Sequence, residues 1–131
     1  MNYKAIPEEV LKEILLLTEA KNKMELREKA QEKFMPFAHH VYDGFIEGRH
    51  HRVIAEKLEK VARGEIKRLI VNMPPRHSKS EFASFMMPAW FLGRNPKLKI
   101  IQATHNTELA VRFGRKVRDL IADPQYQEIF P

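Results

Sequence analysis

Two prolines, Pro74 and Pro75, stand directly behind the apolar run Arg68-Leu69-Ile70-Val71-Asn72-Met73 and just ahead of a stretch rich in large apolar residues. Proline fixes φ and supplies no backbone N–H, so neither a helix interior nor a central strand can continue through the pair. The chain must change structure there. The run before it is short, carries the β-branched pair Ile70 and Val71, and predicts a buried strand. The stretch after it, residues 80–92, carries Phe82, Ala83, Phe85, Met86, Met87, Trp90 and Phe91 and predicts a helix. Pro88 should end or kink that helix, with Gly93 and Asn95-Pro96 marking its exit.

The same unit then recurs. Leu98-Lys99-Ile100-Ile101-Gln102-Ala103-Thr104 is a second strand candidate. Asn106 or Thr107 can cap a long helix with Leu109, Ala110, Phe113, Val117, Leu120 and Ile121 on its core face, closed by Asp123-Pro124. Upstream, residues 50–63 place Val53, Ile54, Leu58, Val61 and Ala62 on one side of a helix that stops at Gly64. Helix, strand, loop, helix, strand, helix predicts an α/β fold, a P-loop core with a parallel sheet and right-handed crossovers. The first third reads as helical: Pro7, Glu8 and Glu9 suit a first turn, followed by Leu11, Ile14, Leu15 and Thr18 at helical spacing. Asn22 with Glu25 resembles a capping pair that opens a second, mostly charged helix through Lys33. Phe34-Met35-Pro36-Phe37 and the residues up to Gly48 are aromatic and irregular. The expected division is a helical arm over residues 1–33 and a core over 34–131.

At 131 residues the chain holds one modest domain. It has no cysteine, which excludes disulfides and thiolate metal sites. No apolar run approaches the roughly 18 residues of a membrane span, and the N-terminus lacks a signal-peptide pattern, so a cytoplasmic protein is expected. The formal charge of +6 makes a polyanion such as nucleic acid a plausible partner.

The chemistry concentrates in residues 73–80, Met-Pro-Pro-Arg-His-Ser-Lys-Ser. A Walker A loop lies between a strand and a helix, turns backbone N–H groups around a phosphate and aims a helix N-terminus at the same oxygens. Its lysine reaches the β- and γ-phosphates, and its Ser or Thr hydroxyl ligates Mg²⁺. Lys79 and Ser80 match those roles in type, order and position. Pro75, Arg76, His77, Ser78, Lys79 and Ser80 are the expected ATP contacts, with Ser80 the Mg²⁺ ligand. Met73 and Ser78 stand where the usual pattern has glycine.

Residues 73–81 resemble the deviant Walker A loop of tailed-phage terminase large subunits, in which Pro-Pro-Arg-His-Gly-Lys-Ser-Glu is a familiar form. Residues 59–72, Pro88 to Pro96, Glu108 to Arg118 and Tyr126 to Pro131 also resemble blocks of that family in order, so the resemblance covers roughly residues 34–131. It implies the ATP-binding part of a DNA-packaging motor, which drives duplex DNA into a capsid in the cytoplasm of a bacterial host. The implied partners are duplex DNA, a terminase small subunit, a portal protein and further copies in a ring, with no membrane. It assigns Arg76, beside the phosphates, a catalytic role alongside Lys79. It also brings the neighbourhood of His50 to Ile54 into consideration for the adenine, against plain packing on the sheet. A surface arginine paired with Glu81 is the alternative for Arg76.

Thr104 and His105 lie at the C-terminal end of the second strand candidate, and Arg112 and Arg115 lie on the last helix with Lys116 and Arg118. They are candidate contacts to DNA or to the ATP site, against an ordinary junction and a solvated helix face. His39-His40 and His50-His51 are adjacent pairs expected to point different ways, without a carboxylate pair to complete a metal site. No apolar run ending in Asp-Glu follows the loop, and no nuclease carboxylates are found, so this chain alone is expected to hydrolyse ATP poorly. Two alternatives remain: the N-terminal lobe of a helicase-like translocase, and a non-catalytic nucleic-acid-binding module with a relic loop.

Overall fold

The computed structural model describes residues 6–131; the first five residues of the expected arm lie outside it. Its elements are helices α1 (Glu8–Glu32), α2 (Phe34–Val41), α3 (Arg49–Ala62), a π-helical turn (Glu81–Met86), α4 (Met87–Arg94), α5 (Thr107–Ala122) and α6 (Pro124–Ile129). Among the described residues there is no strand and no sheet. This corrects the expected α/β fold with its parallel sheet: the described chain is all helical, joined by extended segments.

Both strand candidates are extended but unpaired. In residues 69–73 the side chains alternate: Leu69, Val71 and Met73 pack against the core, whereas Ile70 is 85% exposed. In the second segment Ile101 is 96% exposed. Period-two alternation requires one covered face, and here helices provide it. A strand also requires a neighbouring backbone for its N–H and C=O groups, and neither segment has one.

The core is aromatic and assembled from distant parts of the chain. Phe34, Phe37, Phe82 and Trp90 are fully buried. Phe34 meets the edges of Phe82 at 5.3 Å and Trp90 at 5.5 Å, geometries that suit the ring quadrupoles. The Trp90 Nε1–H donates to the carbonyl of Ala30 at 2.9 Å, and the Tyr126 hydroxyl to that of Ala89 at 2.8 Å. These two bonds tie α4 to α1 and α6. Burial pushes the Tyr126 phenol up to about 12.

Helix boundaries depart from expectation in three places. The arm is one continuous helix through Asn22 and Glu25, not two. The aromatic stretch after it is helical, and its first N–H, on buried Phe34, donates to Glu59 Oε1 of α3 at 2.9 Å. The helix after the loop begins as a π-turn, and Pro88 explains this. An α-helix would direct the N–H of residue 88 to the carbonyl of Ser84, but proline has none and its ring would crowd that oxygen. The chain widens instead, with the Met87 N–H bonding back to Phe82 O. The freed Ser84 carbonyl accepts from Gln102 Nε2 at 2.8 Å. Helices α3 and α5 fall close to where periodicity puts them, and Asn106 caps α5 by accepting from the Leu109 N–H at 2.8 Å.

Candidate nucleotide-binding site

The loop joins the extended segment to the π-turn. Two of its residues, Arg76 (φ 65°) and Ser78 (φ 61°), adopt left-handed backbone conformations that side-chain-bearing residues avoid. Such turning keeps a loop tight and is one way successive N–H groups come to face a common point. Among the described residues, the N–H groups of Arg76, His77 and Ser78 have no protein acceptor, so they are free for water or an anion. The carbonyl of Ser78 already accepts from the Phe82 N–H at 2.9 Å, fixing the loop to the turn that follows.

The loop encloses a concavity of about 420 Å³ lined by Met73, Pro74, Pro75, Arg76, Ser78, Lys79, Ser80 and Glu81. Five of the six expected phosphate contacts therefore share one surface. His77 does not: its Nδ1 lies 2.9 Å from the Pro75 carbonyl, and its ring is 5.7 Å from that of His50. Arg76 and Lys79 form no ion pair among the described residues. Glu81, the alternative partner of Arg76, is held by Lys116 Nζ of α5 at 3.0 Å. The two loop cations thus remain available to an anionic ligand.

Met73 also borders a second pocket of about 600 Å³, between α3 and the extended segment. Arg49, His50, Val53, Ile54 and Lys57 form one wall, and Leu69 to Met73 form the other. Its lining is mainly apolar, and its size lies in the range of small-molecule sites. The extended segment's contribution to this wall was legible only as an apolar run.

Of the two histidine pairs, His39 and His40 point to different carboxylates, Glu47 and Glu128, as expected, whereas the second pair departs from expectation. His50 and His51, at the first turn of α3, lie with ring centroids 3.8 Å apart. His51 Nδ1 accepts from the Gly48 N–H at 2.8 Å, and the ring is buried against Phe45 and Phe82. Burial first, then the nearby His50, depresses its basicity. Glu47 accepts from His39 and Arg52, which hold its carboxyl below the usual range. Among the described residues no three His, Asp or Glu side chains gather as a metal ligand set.

Of the remaining candidates, Arg112 and Arg115 line one groove on α5 with Thr107, Glu108, Val111, Lys116 and Asp119. Thr104 and His105 are outside that groove, at the helix start, where the Thr104 hydroxyl donates to the Asn106 carbonyl at 2.6 Å. Sequence reading missed the link from this groove to the phosphate loop through Lys116 and Glu81, because the pair is 35 residues apart and no spacing marks it. Among the described residues no helix is long and apolar enough to cross a membrane. No protein-family model, curated protein or solved structure matches the chain.

Proposed function

We propose that this chain binds ATP at residues 73–81 and serves as the ATP-binding part of a terminase large subunit, the motor that moves duplex DNA into a phage capsid. The observation that carries the reading is the loop itself. Two left-handed residues turn it, its N–H groups lack protein acceptors, and the unpaired Arg76 and Lys79 share its concavity with Ser80. Lys79 would contact the terminal phosphates, and Arg76 would stabilise charge on the γ-phosphoryl group. The adjoining apolar pocket supports a base seated against Val53 and Ile54, with His50 beside it.

The residues present fit a Mg²⁺ ion in part. Ser80 supplies one hydroxyl to the concavity, and Mg²⁺ commonly takes few protein ligands and several phosphate and water oxygens. When bound, the ion would neutralise phosphate charge. Lys79, Arg76 and the free N–H groups would orient the triphosphate. Duplex DNA is the partner favoured by the net charge and by Arg112 and Arg115 on α5.

The test is titration with a fluorescent ATP analogue and Mg²⁺. Wild type should bind saturably, and Lys79→Ala should weaken binding by about tenfold or more, in keeping with the loss of a charge-assisted phosphate contact. Equal affinity in wild type and Lys79→Ala overturns the proposal and favours a nucleic-acid-binding module that does not use the loop.

A further inference from the structure

Helix α1 is held to the rest of the fold by its last part, where Ala30 is buried and Arg27 and Gln31 donate to the Ile129 carbonyl. Ahead of that anchor, Val10, Ile14, Leu17 and Met24 follow at spacings of four, three and seven residues, which sets them on one side of the helix. All four are exposed, Leu17 by 64%. Leu15 is as open, at 61%, but two residues back along a helix it faces the opposite way. Charge beside the stripe is segregated along the axis. Residues 8–19 carry Glu8, Glu9, Glu13 and Glu19 against Lys12, whereas residues 20–27 carry Lys21, Lys23 and Arg27 against Glu25. Among the described residues Glu9 and Glu13 form no ion pair. Next to Met24 the helix borders a notch of about 350 Å³, lined by Ala20, Lys23, Met24, Arg27 and Glu128 of α6. A well-matched occupant offers an apolar stripe, with bases opposite the acidic end and acids opposite the basic end. The same helix turned end for end meets that description.

We propose that α1 pairs antiparallel with α1 of a second copy of this chain, about a two-fold axis near Leu17. That axis sets Val10 of one copy against Met24 of the other, Leu17 against Leu17, and Glu13 against Lys21. It also brings the acidic first turns of each helix to the notch beside Lys23 and Arg27. A parallel pair would instead set acids on acids and bases on bases. The contact is isologous and closes at two copies. Roughly five helical turns a side give an interface at the small end of specific complexes, so the dimer is reversible, with a Kd on the order of 10 µM. It uses no residue of the phosphate loop and stands whether or not that loop binds nucleotide.

Sedimentation velocity of the full chain over a dilution series tests the proposal. Wild type should pass from dimer to monomer on dilution. Leu17→Glu should raise the dimer Kd by about tenfold or more, the loss of a buried apolar side chain compounded by like charges at the axis. Leu15→Glu, equally exposed but on the far side, should leave it unchanged. Glu13→Lys should weaken the dimer, and Lys21→Glu added to it should restore the affinity. Because the chain has no cysteine, orientation can be read directly. A short bismaleimide should join a mixture of Val10→Cys and Met24→Cys chains efficiently, and either variant alone poorly. A wild type that stays monomeric at about ten times the expected Kd overturns the proposal. So does a Leu17→Glu chain that still dimerises, or a Leu15→Glu chain weakened as much as Leu17→Glu. Failure of the charge exchange to restore affinity, or efficient joining of Val10→Cys chains to one another, overturns the antiparallel pairing and the proposal with it. Circular dichroism melts of Leu17→Glu and Leu15→Glu at a concentration where wild type is monomeric should coincide, which separates loss of the dimer from loss of the fold.

Discussion

Ser78 holds its backbone at φ 61°, where a Cβ crowds the following carbonyl at a cost of about 1–2 kcal/mol. The resemblance puts glycine at this position, and the conformation accounts for that preference: glycine reaches it without strain. This much of the site was legible from Lys79, Ser80 and the prolines, because the loop's chemistry is local. The pairing of Lys116 with Glu81 was not, since an ion pair between segments far apart leaves no mark on either. His51 offers a test at the same scale. Its buried ring is less basic than in the unfolded chain, whose ordinary value is 6.5. Above that pH both states are neutral and the full stability is present. As pH falls below 6.5 the unfolded chain takes up the proton first, so stability is lost until the folded ring also titrates. Thermal melting of wild type should therefore drop between pH 7.5 and 5.5. His51→Asn, which keeps an acceptor for the Gly48 N–H, should drop less. An equal fall in both would show that His51 is not the source.

The π-turn shows how one imino acid shapes an element. Pro88 removes the donor for the Ser84 carbonyl, the helix widens, and Gln102 arrives from the second extended segment to fill the gap. Proline's effect on the helix could be read in advance as a kink, but not which residue would satisfy the freed oxygen. The unpaired strands were misread for a related reason. Alternating apolar residues reveal a covered face, not whether a ladder or a set of helices covers it. The arm was divided at Asn22 because a capping pair looks the same in a helix interior as at a helix start. Gln102→Leu should cost about 1–2 kcal/mol in wild type by leaving Ser84 O unsatisfied. In a Pro88→Ala background, where residue 88 can donate, the cost should shrink to a few tenths. Chemical denaturation of the four proteins measures the difference, and an undiminished cost in the Pro88→Ala background would refute this account of the turn.

Across the whole molecule, stability depends on aromatic rings brought together from both ends of the chain. Periodicity identified the apolar faces of α3 and α5 but could not say that Phe34 would meet Trp90, because contacts between distant segments are set by the packed shape. Gly93 marks the tightest of these joins. A Cβ built there would stand 2.5 Å from the Phe130 ring, which also packs on Phe37 at 6.0 Å and Tyr126 at 5.3 Å. Gly93→Ala should therefore cost about 1–3 kcal/mol through overpacking, despite alanine's better helix propensity. A melting temperature equal to or above that of wild type would mean that Phe130 moves aside freely.

Helix α1 is anchored at its C-terminal end, where Arg27 and Gln31 donate to the Ile129 carbonyl and Trp90 donates to that of Ala30. Over its first half Val10, Leu11, Ile14, Leu15, Leu16 and Leu17 are all exposed. At 1.5 Å per residue, its 25 residues reach about 37 Å. The helix is mechanically a lever with its fulcrum on the aromatic core. A tilt of about 10° at the anchored end swings the far end through roughly 6 Å over this length. Rearrangements of α4 or α6 too small to disturb the core would thus be magnified at the far end of α1.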